Sequence, residues 1–271
     1  MTALIAPADL PLVASHRSKL AWATADSLAI AKRNVIALTR RPQLLGFATI
    51  QPVLFVLMFR YVFGGSIHVP GVSYTNYLMA GIFVQTVMFG AQNTAIGMAE
   101  DLRNGLIERF RSLVMAPSAV LAGRVLADAV RNLFVIVLML GVGYLVGFRL
   151  QTNLAALAAA TGILLLFGFA ISWVTALLGL AAKSAEAAGA AALPLTVLLG
   201  FPSSAFLLTR TLPGPLRAYA DHQPLTATVN SIRSLLLGGP TATHALVAIM
   251  WCLGIVAVFA PLAVVRYRRA S

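Results

Sequence analysis

Six apolar runs, at about 44–63, 76–98, 127–147, 155–182, 187–208 and 244–265, fill most of this 271-residue chain and hold almost no charge. Each is as long as a helix must be to cross the hydrocarbon core of a bilayer, roughly 20 residues. Hydrophobic residues make up 59% of the chain and charged residues 10%, against roughly 25% charged in an ordinary globular domain. A soluble protein is thereby excluded. So is a complete twelve-helix transporter, because twelve spans would leave no residues for loops. The expected fold is an all-α membrane protein with six transmembrane helices.

Between and before the runs the sequence changes character. From Lys19 to Arg41, apolar residues are broken by Lys32, Arg33, Arg40 and Arg41, a pattern suited to an amphipathic interfacial helix or to a solvated one, with Pro42 opening the first span. Pro52, in mid-span, should loosen or kink that helix. Residues 209–243 are half-apolar and interrupted, and fit two short outer interfacial or re-entrant helices broken at Pro224. The chain thus divides into a cytoplasmic N-terminal segment, 1–42, and a six-span domain, 43–271, with an inner loop at 100–126 and an outer segment at 209–243. No basic n-region precedes an apolar stretch at the start, so no cleaved signal peptide is expected.

The formal charge of +12 would suggest nucleic acid in a soluble protein, but here the charges flank apolar runs. Contact with anionic lipid and the positive-inside rule account for them. With the N-terminus inside, fifteen of the twenty Lys and Arg fall on the cytoplasmic side, and only Arg60, Arg149, Arg210, Arg217 and Arg233 outside. Both termini are therefore expected in the cytoplasm of a multi-pass protein of the cell membrane. The lone cysteine, Cys252, and four scattered histidines offer neither a disulfide nor a metal site.

The densest charge lies at 100–112, EDLRNGLIERFRS. Leu102, Leu106 and Leu113 line one stripe of a short helix beside a mixed-charge face. Such a helix either docks into a groove on a soluble partner or is a solvated, salt-bridged loop. Gly105 and Glu108-Arg109, then Ala116-Pro117, then Leu121, Gly123 and Arg124, resemble the cytoplasmic loop of type-2 ABC exporter permeases. Leu212-Pro213 and QPLTATVNSIRSLLLGG at 223–239 resemble that family's outer segment. Gln223 stands where the family usually has Asn, and Ala116 where it usually has Thr. The best-fitting subgroup is the daunorubicin-resistance (DrrB-like) membrane subunits.

The resemblance implies half of an ATP-driven exporter. Its coupling helix would run through Asp101, Arg103, Gly105, Leu106, Glu108, Arg109, Phe110 and Leu113 and sit in a cleft of a separate ABC ATPase subunit. A second permease chain, identical or homologous, would complete the pathway. No G-x-x-x-x-G-K-[ST] occurs in this chain; GLAAKS at 179–184 lacks the second glycine. ATP and magnesium would therefore be bound by the partner, with no cofactor and no catalytic residue here.

All eight acidic residues are expected in tails, loops or span ends, Asp128 at the inner edge of the third span. A proton- or sodium-coupled carrier would normally carry an intramembrane carboxylate. Gln85, Phe89 and Gln92 share one face of the second span, with Asn93 beside them. They present either a stripe for an amphipathic drug or lipid, or glue between helices. Gly168, Ser172, Thr175 and Gly179 form a small-residue stripe suited to close packing. Phe201 and Phe206 near Pro202 are candidates for the same path, which the resemblance runs along spans 1, 2 and 5. The competing classes are an ATP-independent six-span channel or carrier, and an intramembrane hydrolase. For the latter no G-x-S-x-G surrounds any serine.

Overall fold

A computed structural model describes residues 19–39, 42–63, 71–105, 117–206 and 209–269. Among these residues all regular structure is helical: α1 (Lys19–Thr39), α2 (Pro42–Met58) with a π turn at Phe59–Phe63, α3 (Tyr74–Arg103), α4 (Pro117–Val146) and α5 (Leu154–Ala181). After these come α6 (Ala185–Gly200), a 3-10 turn at Thr209–Thr211, α7 (Gly214–His222), α8 (Pro224–Leu237) and α9 (Thr241–Arg269). Local chemistry sets several of the ends. The side chains of Ser73, Asn153 and Ser184 accept from the third backbone N–H beyond them and so cap α3, α5 and α6. Gly147 (φ 101°) and Gly238 (φ 87°) terminate α4 and α8 in a left-handed conformation that a side chain would oppose.

The helix α3 is the axis of the bundle. It is buried on every side from Tyr74 to Met88 and packs on α2, α4, α5, α6 and α8, while α9 lies on α5 and α8, and α1 on α4. Small residues permit the close approaches. A Cβ on Gly179 of α5 would lie 2.3 Å from the Ala95 carbonyl oxygen, and one on Gly81 of α3 only 2.0 Å from that of Ala205. The Gly168–Gly179 stripe is the α3–α5 seam, with Gly168 against Val87 and Asn132, and Ser172 within 3.4 Å of Thr94.

Among the described residues, three helices are long and apolar enough to cross a membrane: Leu121–Val146, Leu154–Ala181 and Thr241–Arg269. Thr49–Val62 and Ala185–Gly200 are apolar but shorter. At 30 residues, or about 45 Å, α3 is long enough, but its Tyr, Thr, Asn and Gln side chains dilute its hydropathy and turn mostly inward.

Two expected boundaries are corrected. Helix takes up both flanks of the segment placed at 100–126: α3 continues to Arg103 and α4 begins at Pro117 rather than near 127. The fifth run does not stay helical to 208: α6 stops at Gly200, and 201–206 is a chain of bends. There Gln223 of the α7–α8 junction donates to the Pro202 carbonyl, the Ser204 N–H donates to Thr226 (3.2 Å), and Arg233 donates to the Ser204 carbonyl (2.7 Å). Side chains from the outer segment thus replace the hydrogen bonds a helix would have made.

Candidate functional site

At the C-terminal end of α3, Asp101 occupies the last turn, where it is ion-paired to Arg124 of α4. Arg103 closes the helix, exposed, and Gly105 turns the chain away with φ 64°. Leu106, Glu108, Arg109, Phe110 and Leu113 lie outside the described residues. Glu186, in the first turn of α6, is held below the usual carboxylate range by its own backbone N–H and the Ser184 hydroxyl, with Arg103 adding a smaller pull. The start of α6 and the end of α3 therefore share this end of the bundle.

Higher up, the predicted path residues separate into two kinds. Gln92 donates to the Thr196 hydroxyl of α6 (2.6 Å), and Gln85 is buried against Gly200 at the end of α6. Both act as helix-to-helix contacts. Phe89 and Phe206 join an aromatic shelf through two residues the sequence reading did not single out, Phe55 and Phe59 of α2. Phe59 and Phe206 stack with centroids 4.5 Å apart and planes 4° apart, and Phe55 lies 6.1 Å from Phe89 and 6.4 Å from Phe206. The signal available was the i, i+4 spacing of Phe55 and Phe59, which places both rings on one side of α2. Phe201 is 59% exposed at the end of α6.

Asn93 is exposed and lines a crevice of about 40 Å³ with Gln51, Thr86, Phe89, Arg131 and Asn132. Arg131, counted with the charges of the inner loop, and Asp128, placed at the edge of the third span, lie about four and three turns into α4. Arg131 pairs with Asp128 at 3.1 Å and donates to the Gly90 carbonyl, while Asp128 also accepts from Thr94. Gly90 is 13 residues, or about 20 Å, from the inner end of α3. Charge is therefore present within the bundle, and it was hidden from the sequence reading because each ion is matched by a partner on a neighbouring helix or turn.

The chain resembles proteins of known class along nearly its whole length. The daunorubicin resistance ABC transporter permease protein DrrB1 of Streptomyces coeruleorubidus is 32% identical over 262 residues, covering 96% of this chain and 92% of that protein. A probable doxorubicin resistance ABC transporter permease protein, DrrC, of Mycobacterium tuberculosis is 25% identical over 225 residues, covering 83% and 81%. The ABC-2 type transporter family matches residues 26–237, from within α1 to the last residue of α8. The landmarks at both ends of the bundle fall inside that match, and the chain belongs to the ABC-2 type transporter family.

Proposed function

We propose that this permease exports hydrophobic or amphipathic aromatic compounds, driven by ATP hydrolysed on a separate subunit, as in the transporters named for daunorubicin and doxorubicin resistance. The observation that carries this reading is the juxtaposition of a four-ring shelf (Phe55, Phe59, Phe89, Phe206) with the exposed amides of Gln51 and Asn93. Exposed amides do not face lipid without cost. A face that offers planar stacking and hydrogen bonds together suits an amphipathic ring system crossing between two permease chains.

In this reading six spans cross the membrane: α2, α3, α4, α5, α6 with its non-helical continuation, and α9. Both termini are cytoplasmic, α1 (from the 1–42 segment) lies at the inner surface, and α7 and α8 dip in from outside. The ATPase docks on the loop between α3 and α4, through Asp101, Arg103, Gly105, Leu106, Glu108, Arg109, Phe110 and Leu113. Gln85 and Gln92 fix α3 against α6, and Phe89, Asn93, Phe201 and Phe206 border the path. A carrier driven by protons would need an intramembrane carboxylate open to its path. Asp128 is instead engaged by Arg131 and Thr94, and the relatives are named as ABC transporter permeases, so the ATP-driven reading stands above it.

The test is reconstitution with the cognate ATPase in lipid vesicles, with daunorubicin as the probe. ATP-dependent movement of daunorubicin is expected. Glu108→Ala with Arg109→Ala should keep ATP turnover and lose about tenfold or more of the transport. Movement that continues without nucleotide would remove the proposal.

A further inference from the structure

The Leu121-x-Gly123-Arg124 stretch at the base of α4 was read above only as a sequence landmark, yet its three named residues face three different neighbours. Leu121 is fully buried in the inner core with Ile30, Met98, Val125, Trp173 and Tyr267. At Gly123 the backbone of α1 lies directly on α4: a Cβ there would come within 2.6 Å of the Ser27 carbonyl oxygen and 2.7 Å of the Ile30 Cβ. Arg124 reaches the other way. Its Nη1 donates to the Gly97 carbonyl (3.0 Å) and to the Asp101 carboxylate in the last turn of α3. The Arg124 guanidinium fills the space beside Gly97: a Cβ there would sit 1.6 Å from Nη2 and would push the guanidinium aside.

Asp101 and Arg124 stand on the two helices that flank residues 104–116, the segment read as the docking loop. Their ion pair closes the base of that loop, and the glycine beside Arg124 seats α1 on the same turn. A loop whose stems part under load would absorb a push applied at its tip. A loop closed at its base delivers the push to both stems together. Both bonds leave one nitrogen, Nη1, so a single group ties a carboxylate and a helix carbonyl together.

We propose that Arg124 is a positioning residue for energy coupling: by clamping Asp101 and Gly97 it makes the inner ends of α1, α3 and α4 one mechanical unit that moves with the docked ATPase. This rests on the reading of 104–116 as the ATPase-docking loop. It adds residues outside that loop, and a transmission role for α1.

The experiment uses the whole permease–ATPase complex in vesicles, with the probe of the preceding test, and reads ATP hydrolysed and probe moved in the same sample. Arg124→Ala and Asp101→Ala should each lower the probe moved per ATP by about tenfold while hydrolysis persists. The exchanged pair, Asp101→Arg with Arg124→Asp, should recover the ratio to within about threefold of wild type. The inference is overturned if Arg124→Ala keeps the wild-type ratio, or if the exchanged pair assembles and is as uncoupled as the single variants. It is also overturned if the single variants and the exchanged pair all fail to assemble with the ATPase, which would mark a structural role alone. A wild-type complex that moves no probe with ATP would instead sink the parent reading of function, a distinguishable result.

Discussion

A guanidinium inside a helix bundle must have its charge and its donors matched, and Arg131 meets that demand with side chains and backbone from two helices. Asp128, one turn earlier on α4, supplies the charge; the Gly90 carbonyl of α3 takes a further donor. The side chains of the pair are only 7% and 13% exposed. Asn132, the next residue, is wedged where Gly90 and Gly168 leave space for it, since a Cβ on either glycine would come within 2.7 Å of its amide. Burying such a pair costs nearly what it returns, but removing one member leaves the other ion without its counter-charge. Arg131→Met should therefore destabilise the chain by about 3 kcal/mol, and Asp128→Leu with Arg131→Met by much less. Unfolding midpoints of the purified protein in detergent check this. If the double variant is less stable than the single one, the pair stabilises the bundle by its attraction and not merely by compensation.

At the level of helices, what could be read from the sequence depended on whether the signal was local. The break between α7 and α8 at Pro224, the start of α2 at Pro42 and the bounds of α5 follow from prolines, a capping asparagine and an uninterrupted apolar run, all written within a few residues. The first ten residues of α4 were missed because Arg124 looks like a loop charge until Gly97 and Asp101 of α3 supply its partners. The end of α6 was missed for the opposite reason. Residues 201–206, FPSSAF, sit inside an otherwise apolar run, and much of what holds that backbone open comes from Tyr77 on α3 and from Gln223, Thr226 and Arg233, twenty to thirty residues on. The aromatic shelf was half legible: Phe89 and Phe206 stood out, while nothing in the apolar run around Phe55 and Phe59 marks those two rings until α2 is laid against α3.

The α3–α5 seam provides a sharp contrast between two glycines of the same class. Gly179→Ala pushes a methyl into the Ala95 carbonyl, backbone that cannot swing aside, and should cost about 1–3 kcal/mol. Gly254→Ala, on α9 with nothing within 4 Å of the added atom, should cost nothing measurable and gains up to about 1 kcal/mol of helix preference. Unfolding midpoints for the two variants, measured side by side, separate close packing from helix preference. Equal losses at both would mean that the seam is not as tight as described.

Across the whole molecule, the contacts sort the charged residues by end. Arg149 and Arg233 meet the N-terminal turn of α3: the Arg149 backbone N–H donates to Asn76, and Arg233 stacks 3.6 Å above the Tyr77 ring. Thr152, in the same loop as Arg149, donates to the Leu235 carbonyl of α8, so this end gathers residues that charge counting assigns outside. At the opposite end Arg103 and Arg124 cluster at the foot of α3, and Tyr267, between Arg266 and Arg268, packs into the core that holds Leu121. Insertion depends on the basic residues that remain near the cytoplasm, so the proposed orientation puts the Arg103–Arg124 end inside. Cys252 is buried and leaves the chain a quiet background for labelling with a membrane-impermeant maleimide. In intact cells, Leu216→Cys on α7 should react from outside, and Asn104→Cys, just past α3, only after the cells are opened; both residues are exposed. The two positions lie at opposite ends of a bundle that spans the bilayer, so their labelling must differ. Reaction of Asn104→Cys in intact cells would place the 104–116 loop outside, out of reach of any cytoplasmic ATPase, and would overturn the orientation and the coupling scheme together.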